Sequence, residues 1–358
     1  MKILPFLFLT LLLIPLTGCG NVFYLSNLGW HQALITFRSV PVQEVLENKE
    51  RDDEAKGKIR FIQEVKHYGK ERLGLGGDKS YSKVFDVTAP LLYVVTASEK
   101  DRLQLYQWNF PVVGSVTYKS FFTQEGALKE KKFLNEKNLD TFIQRADAYS
   151  TLGWLKDPIF SSFFKLKEAI LANLILHEMT HSTIYFKGMT DFNEQMATLV
   201  GNRGAIDFLT ETYGPGSKEV FEAIHIQEDD LLFGWWIDQV YQRLSNFYVR
   251  EISKNEKLKG REEIFAFIKE EFGGIKTRLK TNGYKDFDEL ELNNAVLLAY
   301  RRYIHQLEEF ESIYEYFGQD LKQFIQLFKK IQTSKEDPAS FLKRWMKERG
   351  ITVPASLR

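Results

Sequence analysis

The chain has 358 residues, 44% hydrophobic and 14% aromatic, which supplies ample material for a core and excludes wholesale disorder. With Gly at 23 and Pro at 9, collagen-like and low-complexity classes are excluded as well. Lys+Arg 48 balance Asp+Glu 48, so the overall positive field that helps hold nucleic acid is missing and no nucleic-acid partner is expected.

Lys2 precedes an uncharged apolar run from Ile3 to Leu16, the pattern of a secretory signal. The run is shorter than the ~20 apolar residues that cross a bilayer. Leu16-Thr17-Gly18-Cys19 resembles the lipobox of bacterial lipoproteins. That resemblance implies that residues 1–18 are removed, that Cys19 is acylated, and that lipid holds the chain to a membrane of the bacterial envelope. Gly20, where Asp would signal retention, implies the outer membrane, periplasmic side. Cys19 is the single cysteine, so no disulfide can form within the chain.

Val22 to about Lys49 reads as helical, with Phe23, Trp30, Leu34 and Phe37 at helix-face spacings and a break near Pro41. A charged stretch, Asn48 to Lys58, leads into a second helix that ends near a turn at Gly74, Gly76 and Gly77. Val84–Ala97 and Leu103–Phe122 are rich in Val, Tyr, Phe and Thr and read as several strands. Gln124–Lys137 reads as a surface helix, Thr141–Tyr149 as a strand, and almost everything beyond Lys165 as helix. Val296, Tyr300, Tyr303, Leu307, Phe310, Tyr314 and Phe317 alternate spacings of four and three, which predicts one long helix with its tyrosines in the core. No repeat or linker divides the mature chain. The expectation is one α+β domain over 19–358, with N-terminal helices and sheet in 22–165 and a metal-binding, helical region in 166–358.

The chemistry concentrates at Leu174-Ile175-Leu176-His177-Glu178-Met179-Thr180-His181, which contains H-E-x-x-H. On a helix, residues four apart lie about 40° apart around the axis, so His177 and His181 can grip one metal ion. Glu178 projects to the side, where its carboxylate can take a proton from an attacking water. Ile170, Leu174, His177, His181 and Ile184 again alternate four and three, which predicts that both histidines face the interior. The bland alternative is a pair of hydrogen-bonded core histidines. A third ligand belongs on the next helix, where Glu194 is favoured and Asp191 is the rival, since Asp191 can instead cap that helix. Ala197, Gly201 and Gly204 offer a small-residue face for close packing. Two histidines and one glutamate leave a coordination position open, the catalytic arrangement of zinc. His31, His67, His225 and His305 read as ordinary residues.

Trp108–Gly114, Ala148–Trp154 with Asp157-Pro158, the His177–His181 motif, Phe192-Asn193-Glu194 and Asn293–Leu297 together resemble the bacterial putative aminopeptidase family. Ser115 departs from it where a cysteine is usual, and Lys119-Ser120-Phe121 departs from a more Arg-Gly-Tyr-like run. The resemblance implies a zincin-like peptidase with one Zn²⁺, a glutamate third ligand, and a substrate-binding strand beside the active-site helix. Ala148–Leu152 is the candidate strand, and Tyr149 on it could reach the cleft. Asn294, heading the striped helix, is a second candidate for substrate binding. No Gly-x-Met-Glu-Asn-type segment is present to hold a free ammonium, so endopeptidase action stays open. Two rival readings are a non-catalytic envelope lipoprotein on the same scaffold and a zinc amidohydrolase acting on cell-wall material.

Overall fold

The structure is a computed structural model and describes residues 19–77, 79–87, 92–110, 114–146 and 157–353. Helix α1 (Cys19–Arg38) gives way to a two-residue strand β1 (Val40–Pro41) and the short α2 (Val42–Glu47). α3 (Asp53–Glu71) begins inside the charged stretch, because Asp52 accepts hydrogen bonds from the backbone N–H of Glu54 and Ala55. Five strands follow: β2 (Lys83–Phe85), β3 (Leu92–Ser98), β4 (Trp108–Phe110), β5 (Gly114–Val116) and β6 (Lys119–Phe121). Thr123 then caps α4 (Gln124–Glu136), which leads to β7 (Asp140–Ala146) and β8 (Ile159–Phe160). The rest is helical: α5 (Glu168–Thr183), α6 (Thr190–Tyr213), α7 (Lys218–Tyr248), α8 (Lys254–Lys276), α9 (Asn294–Ile304), α10 (Leu307–Tyr316), α11 (Leu321–Gln332) and α12 (Pro338–Glu348). A mixed α+β architecture with small sheets is what the composition shifts along the chain predict.

Strand β3 is central in an antiparallel sheet of order β6-β3-β7, while β1-β2-β8 is a second sheet in which β2 and β8 run parallel. The largest apolar cluster gathers α3, α5, α6 and α10 to α12, with Ile62, Leu176, Val200 and Phe324 fully enclosed. A second joins α7, α8 and α9 around Phe233, Trp236 and Phe272. A third, smaller one lies between α4 and the sheet of β3. Among the described residues no helix is long and apolar enough to cross a membrane.

Two expectations need correction. The predicted long helix is two helices, α9 and α10, because Gln306 adopts φ +56, outside the helical region. His305 Nδ1 lies 2.9 Å from Asp238 of α7, and Arg301 Nε donates to the same carboxylate at 2.8 Å, which fixes the end of α9. Leu307, Phe310 and Tyr314 still face the core after the break, so the apolar period runs through it. Tyr300 packs against Phe233 and Phe287 as expected, but Tyr303 is 37% exposed and is not a core residue. The histidine stripe of α5 faces the interior only along its C-terminal part, where His181 and Ile184 are buried. Ile170 on that stripe is exposed, whereas Leu171, Ile175 and Leu176 beside it are fully enclosed.

Candidate metal centre

Helices α5 and α6 approach to van der Waals limits at Gly201, where α6 carries no side chain. A Cβ at Gly201 would lie 3.0 Å from the backbone oxygen of Asn173 and 3.2 Å from His177 Cβ. The turn between the helices is clamped by Asn193, whose amide donates to Phe186 O and accepts from Phe186 N, both at 2.8 Å. With helix spacing and turn fixed, the first turns of α6 lie beside the last turns of α5.

Three side chains converge there. Glu194 Oε2 lies 3.3 Å from His177 Nε2 and 3.4 Å from His181 Nε2. The two Nε2 atoms are 3.1 Å apart. Donors held at 2.0–2.1 Å around a tetrahedral ion are about 3.3 Å from one another, so the triangle has the size that such an ion requires. His181 and Glu194 are nearly enclosed, and His177 is little more open. The donor set, two neutral-capable imidazoles and one carboxylate, fits zinc as well as geometry does. These residues can hold a metal ion.

The electrostatics agree. Burial would raise the Glu194 carboxyl, but hydrogen bonds from His177 and His181 outweigh it and hold the group well below the usual carboxylate range. Burial would depress His181, yet the bond to Glu194 and the charges of Glu194 and Glu178 raise it. His181 Nδ1 is buried with no hydrogen-bond partner among the described residues.

Other segments close around the cluster. Tyr118, between β5 and β6, has its phenol pushed up by burial first and then by the negative charge of Glu194, with Glu178 adding to it. Tyr303 on α9 is 37% exposed as a residue, but its phenol end is enclosed and is raised by burial and then by the charge of Glu194. Both therefore keep their protons at neutral pH, and both lie near enough to Glu194 to feel its charge. Tyr81 is buried at φ +60, its N–H donating to Asp157 O at 2.6 Å, and its phenol is raised by burial and then by Glu178. A bulky residue held in the left-handed region beside Glu178 is a strained feature of the kind that clusters at functional sites.

The candidate residues thus separate. His177, His181 and Glu194 come together, with Glu178 in the turn between the two histidines. Asp191 does not cap α6, whose N-cap is Met189, and it is not within the triangle. It lies 3.8 Å from Arg302 Nε instead. Asn294 is fully buried and its amide donates to Glu99 O, Lys100 O and Arg102 O while accepting from Tyr248 OH. Such a side chain has no group free for a substrate, and its role is to tie α9 to the end of β3. Tyr149 and the strand Ala148–Leu152 lie outside the described residues. Tyr118 and Arg302 are marked by no local motif, and Tyr303 reads from its spacing as a core tyrosine of the striped helix.

No curated protein and no solved structure matches the chain. The family described as "Putative aminopeptidase" matches residues 23–340, and the chain belongs to that family.

Proposed function

We propose that the protein is a zinc metallopeptidase, held to the bacterial envelope by lipid on Cys19 and facing the periplasm from the outer membrane. The observation that carries the catalytic reading is the triangle of His177, His181 and Glu194 with Glu178 one residue beyond the first ligand. When bound, zinc supplies Lewis-acid polarisation of the scissile carbonyl and the attacking water. Glu178 takes the proton released as that water adds to the carbonyl carbon, then delivers it to the amine as the C–N bond breaks. Tyr118 and Tyr303, both protonated, donate hydrogen bonds to the oxygen that gains negative charge. Asn193 and Gly201 hold the ligand helices at the required spacing. Membership in an aminopeptidase family supports peptide bonds as the target.

Glu178→Gln keeps size and removes the base. It should bind zinc and fold like wild type, while peptide hydrolysis falls by about 10²–10⁴-fold. Equal cleavage by the Gln variant across a peptide library would remove Glu178 from the mechanism. A wild type that binds zinc and cleaves no peptide would leave a scaffold or an amidohydrolase. For the anchor, Cys19→Ser should abolish fatty-acid labelling and release the chain from membranes; a labelled, membrane-bound variant contradicts it.

A further inference from the structure

Arg302 is the charged group beside the metal centre to which hydrolysis, as described, gives no task. It is only 2% exposed. Its guanidinium stands 5.0 Å from the centre of the Tyr118 ring, and Nε and Nη2 are buried without a hydrogen-bond partner among the described residues. Asp191 Oδ1 approaches Nε to 3.8 Å, too far for a hydrogen bond. By contrast, buried Arg261 makes a two-pronged bond to Asp140, and half-buried Arg203 donates through Nε and Nη2 to Glu311. A guanidinium cannot shed its charge, and its planar fork is shaped for two parallel bonds to a carboxylate. At Arg302 the Nε–Nη2 side of that fork is buried and, among the described residues, unfilled.

Its place relative to the ligands indicates what would fill it. Asp191 precedes Glu194 by three residues on α6, which sets their Cβ atoms about 5–6 Å apart on one helix face. An extended peptide advances ~3.3–3.6 Å per residue, so an anion at Arg302 lies within one or two residues of a bond cleaved at the metal centre. Asp191 has 48% of its side chain exposed and can turn outward to vacate the position. The cations that act on Asp191 are Arg302, Arg301 and His305, while Glu194 is the acid that does so. Arg301 and His305 are themselves bonded to Asp238.

We propose that Arg302 receives a carboxylate of the substrate in place of Asp191, so that the enzyme selects peptides with a negative charge next to the scissile bond. That charge is either the C-terminal carboxylate of a short peptide or an Asp or Glu side chain. The proposal rests on the peptidase reading and gives it a preference opposite to recognition of a free ammonium.

The test uses the zinc-loaded mature chain and calorimetry with N-acetyl-Ala-Ala and its C-terminal amide. Wild type should bind the acid about 10- to 100-fold more tightly than the amide. Arg302→Gln should erase the difference at unchanged zinc content, and Asp191→Ala, lacking the competing carboxylate, should bind the acid more tightly than wild type. A preference for the acid that survives Arg302→Gln means the carboxylate sits on the zinc, and overturns the proposal. If Arg302→Gln does not fold, Asp191→Ala decides: tighter acid binding supports the site, and unchanged binding refutes it. Cleavage of tetra-alanine against its amide, and of amidated peptides carrying Glu against Gln, then separates the two sources of charge; equal rates in both pairs refute it. Cleavage of no peptide, with acid binding still dependent on Arg302, ends the peptidase reading and leaves the carboxylate site standing.

Discussion

Two buried polar clusters flank α9, and they are built on opposite principles. At its N-terminal end, Asp140, Arg261, Asn294 and Tyr248 exchange hydrogen bonds among themselves and with the carbonyls of Glu99, Lys100 and Arg102. At its C-terminal end, beside the metal centre, His181 Nδ1 and two nitrogens of Arg302 are buried without partners among the described residues. An unmatched buried donor costs about 1–3 kcal/mol, and a matched one costs little. A fold selected for stability alone would saturate both clusters. Saturation at one end marks scaffold; at the other, Nε and Nη2 of Arg302 are the groups the proposed carboxylate would fill, whereas His181 turns Nε2, not Nδ1, toward Glu194.

Substitution should therefore have different consequences at the two ends. Arg261→Met strands the enclosed Asp140 and should destabilise the fold by about 3–5 kcal/mol in urea denaturation, without changing zinc bound per folded chain. Loss of zinc from the folded fraction would show that the scaffold cluster also shapes the site. Gly201→Ala acts on the other cluster. The added methyl meets a backbone oxygen and a ligand's Cβ, neither of which can move without shifting α5 against α6. A cost of about 1–3 kcal/mol is expected, with weaker zinc retention against a chelator. A more stable variant that holds zinc equally well would mean that the helix spacing has slack.

How far the sequence reveals this arrangement depends on how local each part is. His177, Glu178 and His181 lie within one and a half turns of a helix, and Glu194 opens the next helix, so spacing alone suffices to suggest the group. Ala197, Gly201 and Gly204 announce the close approach, which Gly201 bears out. The remaining wall is assembled from a strand connection near residue 118 and a helix near residue 302, and long-range placement leaves no periodic trace. The break at His305-Gln306 is hidden for a different reason. The residue at positive φ is Gln where Gly is usual, and the apolar stripe stays in phase across it. Asn294 was misjudged because a polar residue heading a helix reads the same whether it meets substrate or the scaffold's own carbonyls.

Metal analysis of three purified proteins bears most directly on the site. After loading with Zn²⁺ and exhaustive dialysis, wild type should retain one ion per chain, and Asp191→Ala should retain nearly the same. Glu194→Ala should lose most of it, since it removes the oxygen that both imidazoles face at 3.3 and 3.4 Å. A wild type that keeps no zinc, or a loss on Asp191→Ala with none on Glu194→Ala, would contradict the His177–His181–Glu194 centre.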